Sequence, residues 1–121
     1  MESIEILAIA NADSVTRAQQ MSEVFQQLLG MPSEEREAVL RHLIEVMAEN
    51  ASDEAYRALC ETNLTLASTM VDEMLEAFID LRMSVSLSLP EALSKRDAEM
   101  IQEGLKNVEP AVREKIQQYL A

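Results

Sequence analysis

Four closely spaced carboxylates in the second half of the chain are the residues whose pattern most favours chemistry. Asp72, Glu76 and Asp80 recur every four residues, and Glu73 borders them. In a helix this spacing places the side chains on one face. Such a row can bind a divalent metal ion, dock a basic protein, or simply face solvent.

A metal site on this row lacks the companion ligands of known helical carboxylate centres. Di-iron bundles use Glu-x-x-His pairs on neighbouring helices. The chain has one histidine, His42, and one cysteine, Cys60, which cannot complete a four-ligand zinc site. We therefore expect no metal and no cofactor, and keep a metal-binding helical bundle as a further alternative.

Catalytic patterns are equally sparse. His42 and Cys60 have no orienting third group and no glycine turn nearby, so a nucleophile pair is not favoured. Arg36 and His42 could share a helix, as in some helical nucleases, but an acidic protein repels an RNA substrate. The two glycines, Gly30 and Gly104, lie too far apart to form a phosphate-binding loop. We expect a protein that is not an enzyme.

The charge of the chain narrows the classes of partner. The formal net charge is −12, and all the excess lies in residues 1–93, because the chain from Ser94 onward is neutral. Such a charge repels nucleic acid and anionic lipid but suits a basic protein. Glu2 and Glu5 stand where a signal peptide needs positive charge, and a single cysteine fits a reducing compartment. We expect a cytoplasmic protein that binds neither nucleic acid nor membrane.

Composition predicts an all-α fold. Hydrophobic residues make up 48% of the 121 residues, aromatic residues 3%, and there are two glycines and three prolines. Strong helix formers with few breakers favour helices, and the length fits one domain over residues 1–121. We predict a compact bundle of five or six helices around one long central helix.

Local signals predict where the helices begin and end. Residues 3–9 fit either a short strand or a helix, and the surrounding helix formers favour a helix. A second helix should run from the cap-type residues at 11–14 to Leu29, with Gly30 as its C′ residue. Ser33 and Ser52 should start the next two helices, and Pro110 should be the first residue of the last one.

The central helix is predicted over about residues 53–85, because apolar residues recur at helical spacing throughout it. The stretch SVSLSLP, residues 84–90, should then be a joint. Ser88 and Glu91 match a capping box, and Pro90 disfavours helix at Leu89. Ser94 and Asp97 offer a second helix start of the same kind.

These features favour a non-catalytic protein-interaction module: an acidic regulator, adaptor or chaperone-like subunit. The predicted partner-binding residues are the four carboxylates with two adaptable methionines, Met70 and Met74. The alternative is an acidic inhibitor of a basic protein, either antitoxin-like or a nucleic-acid mimic. The wide apolar arc of the central helix also predicts a homodimer.

Overall fold

The computed structural model describes residues 4–120, and these form a bundle of seven helices with no strand. The helices are α1 (Ile6–Ala10), α2 (Ser14–Leu29), α3 (Ser33–Asn50), α4 (Asp53–Ala67), α5 (Asp72–Ser88), α6 (Glu91–Asn107) and α7 (Pro110–Gln117). The predicted all-α bundle is confirmed. The helical interpretation of the first segment is also confirmed, although Ser3 lies outside the described residues.

Several helix starts follow the signals in the sequence. The carboxylate of Asp13 accepts a hydrogen bond of 2.9 Å from the backbone N–H of Thr16, and Ser52 Oγ accepts one of 3.1 Å from Ala55. These bonds satisfy backbone donors that have no partner within the helix. Pro110 is the first residue of α7, as predicted.

The predicted central helix over residues 53–85 is two helices, α4 and α5. The hydroxyl of Ser68 donates to the carbonyl of Thr65 at 2.6 Å, and that of Thr69 donates to Leu66 at 2.7 Å. These bonds offer the backbone an alternative to continued helix. Val71 is extended and becomes the N-cap of α5, whose first turn carries Asp72 and Glu73. Acids at this position stabilise a new helix start through the helix dipole.

The joint in SVSLSLP lies later than predicted. Helix α5 continues through Ser88, Leu89 is extended, and Pro90 is the N-cap of α6. Ser88 Oγ donates to the carbonyl of Val85 at 2.7 Å, so the predicted capping box is wrong. The proline alone ends the helix, because it disfavours helical backbone at Leu89.

Two smaller predictions are also wrong. The predicted second start at Ser94 lies inside α6, which is continuous from Glu91 to Asn107. Gly30 follows α2 with right-handed helical backbone, φ −83°, rather than the left-handed conformation of a C′ glycine. Ser33 is the first residue of α3, and Pro32 takes the cap position.

Helix α4 lies at the centre of the bundle, in contact with α1, α2, α6 and α7. Its closest approach is to α6, where Gly104 faces Cys60. A Cβ atom on Gly104 would lie 3.0 Å from the Cβ of Cys60, so glycine is needed for this distance between the helices.

Helix α5 packs on α3 and α6 instead, and its Phe78 contacts Phe25 of α2 with ring centroids 5.2 Å apart.

Arginine side chains bind the carbonyl groups at the ends of several helices. Arg36, the fourth residue of α3, donates from Nε to the carbonyl of Leu28 at 2.8 Å. Arg113, the fourth residue of α7, donates in the same way to Leu105 at 2.7 Å. Each thus satisfies carbonyls at the end of the preceding helix and places a positive charge at the negative end of its dipole.

Candidate protein-binding site

The predicted partner-binding carboxylates all lie on the outer side of the first half of α5. Asp72, Glu73, Glu76 and Asp80 are exposed. They hold this position because Leu75 and Ile79, on the adjoining inner side of the helix, are buried and attach α5 to the core. We call the surface formed by these four carboxylates, with Val71 and Met74, the acidic face of α5.

Two large apolar side chains are also exposed at the start of α5, and Met74 lies on a different side of the helix from Asp72 and Glu76, because residues two apart do not face each other. Met74 is 44% exposed and Val71 is 64% exposed. Val71 is one of the regularly spaced apolar residues of the predicted central helix, but the break before α5 moves it to the helix start. Met70 lies in the connection between α4 and α5. Its side chain is half-buried against the core, so it contributes little to this surface. The structure therefore adds Val71 to the exposed surface and places Met70 partly against the core.

The negative charge of the acidic face is not neutralised by neighbouring side chains. None of its four carboxylates forms a salt bridge with another residue in the range 4–120. Lys115 lies nearby, but its ammonium donates to the backbone carbonyl of Met70 at 3.2 Å. The face thus presents four charges to solvent beside exposed apolar surface.

Tyr119, close to the end of the chain, lies within reach of this charge. Partial burial raises the pKa of its hydroxyl, and the negative charges of Asp72 and Glu76 raise it further. The field of the carboxylates therefore extends from α5 to the segment that follows α7. A cationic group placed on the same surface would be attracted by the same charges.

The structure gives no geometric support to the metal-binding alternative. Across residues 4–120, no three side chains of His, Cys, Asp or Glu come together as metal ligands. His42 is exposed on α3. Cys60 is buried in α4, and burial raises the pKa of its thiol to about 12, so it remains protonated at neutral pH. A protonated, buried thiol is a poor nucleophile.

A buried ion pair lies in the core, away from the acidic face. Asp97 of α6 is completely buried and accepts two hydrogen bonds of 2.7 Å from the guanidinium of Arg82 in α5. The hydroxyl of Tyr56 in α4 donates to the same carboxylate at 2.6 Å. The predicted helix start at Ser94 and Asp97 gave no sign of this network, which joins three helices.

The network shifts the pKa of each of its members. Burial by itself would raise the pKa of Asp97, but the hydrogen bonds and charge of Arg82, with smaller contributions from Ser86 and Tyr56, lower it below the ordinary value. Burial, followed by the charge of Asp97, raises the pKa of Tyr56. A carboxylate, a guanidinium and a neutral phenol that satisfy one another are typical of a structural cluster.

Comparison with family models, curated proteins and solved structures found no match to this chain. Within residues 4–120, no helix combines the length and the apolar character that crossing a membrane would require.

Proposed function

We propose that this chain is a non-catalytic, cytoplasmic interaction module that binds a basic protein through the acidic face of α5. The observation that carries the proposal is the exposure of four carboxylates on α5, without salt-bridge partners in the described part of the chain, together with the exposure of Met74 and Val71 at the start of the same helix. Charge attracts and orients a partner, while apolar contact supplies affinity that resists salt.

The complementary partner surface has basic residues beside an apolar patch. Met74 is unbranched and adapts its shape, so it suits the apolar part of such a contact. Two copies of the same face would bring eight carboxylates together, which is unfavourable. A homodimer, which remains a prediction, would therefore have to use another surface.

The first experiment is photo-crosslinking at the acidic face. A photoreactive amino acid replaces Met74 in one sample and Val15, which is 77% exposed on α2, in the control. Each protein is irradiated in its native lysate, and the adducts are identified by mass spectrometry. The proposal predicts a basic protein that is captured from position 74 and absent from position 15.

The identified partner is then purified and its affinity is measured by titration calorimetry. The test variant carries Asp72→Asn, Glu76→Gln and Asp80→Asn together. The control variant carries Glu34→Gln, Glu35→Gln and Glu49→Gln, three exposed acids of α3. Both variants change the net charge by three units, so only the position of the lost charge differs. We expect the test variant to weaken binding by about tenfold at low salt, and the control to change it much less.

The salt dependence of the binding affinity distinguishes the interaction-module proposal from the acidic-inhibitor alternative. Met74→Ser, compared with Val15→Ser, measures the apolar part of the contact. If Met74→Ser weakens binding and the affinity persists at high salt, the interaction-module proposal is supported. If only the carboxylates matter and high salt abolishes binding, the acidic inhibitor is the better description. If neither set matters, the acidic face is not the binding site.

A further inference from the structure

All seven helices contribute to the wall of a cavity of about 110 Å³ that is partly open to solvent. The wall is apolar except for four residues. These are Tyr56, Cys60, Asn63 and Arg82. The cavity is separate from the acidic face, so what it binds does not depend on the proposed function.

The hydrogen-bonding groups of this wall are unequally satisfied. The Tyr56 hydroxyl and both terminal nitrogens of Arg82 are bonded to Asp97. In contrast, Oδ1 of Asn63 is buried and has no hydrogen-bond partner, the one such side-chain atom in the described part of the chain. A buried acceptor without a partner is unfavourable, because folding has removed the water that satisfied it.

Water is a poor occupant of this cavity. A buried water molecule needs two to four polar partners, and in this wall Oδ1 of Asn63 is the one buried side-chain oxygen or nitrogen left without a partner. Apolar cavities of about 150 Å³ in proteins stay dry and bind benzene or xenon. The present cavity is somewhat smaller, but Met21, Met47 and Met83 line it, and methionine side chains adjust to irregular shapes.

We propose that this cavity binds a compact apolar molecule, about the size of one six-membered ring, that donates one hydrogen bond to Oδ1 of Asn63. Apolar surface would supply most of the affinity. The single donor would satisfy the free acceptor and fix the orientation of the ligand. This arrangement matches small-molecule sites, which are mostly apolar with few polar groups.

The test uses three probes of equal ring size: benzene, phenol and pyridine. Benzene has no hydrogen-bonding group, phenol can donate, and pyridine can only accept. Binding is followed through the methyl signals of the methionines in carbon-13 labelled protein, where Met21, Met47 and Met83 should respond. We expect phenol to bind about fivefold to tenfold more tightly than pyridine, because only phenol satisfies the free acceptor.

Substitution of the acceptor gives the second part of the test. Asn63→Leu keeps a side chain of similar length and removes the amide, so the ratio of phenol to benzene affinity should fall by about fivefold. Taking this ratio within each protein cancels the different hydration of the two probes. The control, Asn107→Leu, makes the same change at an exposed position of α6 and should leave the ratio unchanged.

Three results would overturn the proposal. The first is the absence of any methionine response to all three probes. The second is a preference for pyridine over phenol in the unmodified chain. This measurement uses no substitution, so it tests the proposal even if Asn63→Leu does not fold. The third is a phenol preference that persists unchanged in Asn63→Leu.

Discussion

The Asp97→Asn substitution tests whether the buried ion pair joins α5 to α4 and α6. The amide keeps the shape of the carboxylate but removes its charge and one of its two acceptor oxygens. Three donor groups, two from Arg82 and one from Tyr56, then compete for a single oxygen. The guanidinium also loses its counterion within the protein.

The size of the effect follows from this geometry. Removing one partner of a buried ion pair costs about 3–5 kcal/mol. The side chain of Arg82 is 21% exposed, so water offsets part of the loss, and we expect about 3 kcal/mol. A domain of this length has about 5–15 kcal/mol of stability, so the variant should still fold, with its melting temperature lowered by about 10 °C.

The assay is urea unfolding of both proteins at a series of pH values. The pKa of Asp97 is lowered in the folded state, so its charge stabilises the fold above the unfolded value of about 3.9. This stabilisation is lost as the pH falls through the folded pKa, when the carboxylate binds a proton. The asparagine variant has no such proton. The stability difference should therefore be constant from pH 7 to about pH 5 and shrink below about pH 4.

Two controls complete the test. Tyr56→Phe removes one hydrogen bond and leaves the charges paired, so it should cost less than Asp97→Asn. The double variant Arg82→Met with Asp97→Leu removes both charges and should be more stable than Asp97→Asn alone. A loss below about 1 kcal/mol for Asp97→Asn would refute the argument that this pair stabilises the fold.

Three further predictions concern packing, titration and helix ends. Gly104→Ala should lower the free energy of unfolding by about 1 kcal/mol, because the new Cβ is forced against Cys60. Gly30→Ala should raise it by about 0.5 kcal/mol, because the backbone at Gly30 is already helical. Unfolding in urea should show that stability falls by about 1 kcal/mol between pH 9 and pH 10, because Cys60 with its raised pKa keeps its proton in the folded state while the unfolded chain loses it. Arg36→Met and Arg113→Met should each cost about 1–2 kcal/mol in thermal unfolding, because each leaves helix-end carbonyls without a charged donor.

Each of these predictions has an outcome that would contradict it. A stabilising effect of Gly104→Ala would mean that α4 and α6 can separate freely. Cys60→Ala should remove most of the alkaline loss between pH 9 and pH 10, leaving the smaller part due to Tyr56, and an unchanged slope would assign the loss to another group. An Arg36→Met variant as stable as the unmodified chain would show that water satisfies those carbonyls equally well.

The sequence by itself determined the class of fold and many helix boundaries. Asp13 and Ser52 start helices, and Pro90 and Pro110 separate them, because each acts on backbone groups within a few residues. The spacing of Asp72, Glu76 and Asp80 likewise placed three carboxylates on one exposed side of a helix. Such features depend on local geometry, which the order of residues specifies directly.

The tertiary structure decided the division between α4 and α5. The apolar spacing continues across residues 68–71, so it is compatible with one long helix or with two. Ser68 and Thr69 weaken the helix locally, and α5 then packs on α3 and α6, whereas α4 packs on α1, α2, α6 and α7. This break exposes Val71 and gives the acidic face an apolar component.

The buried network and the cavity were also decided by tertiary structure. Tyr56, Arg82 and Asp97 come from three helices, and no periodic pattern specifies that a carboxylate 41 residues away will accept a tyrosine hydroxyl. The cavity requires side chains from all seven helices to leave space around Asn63. Both features depend on how surfaces distant in sequence fit together, since close packing is a property of the assembled core and not of any one segment.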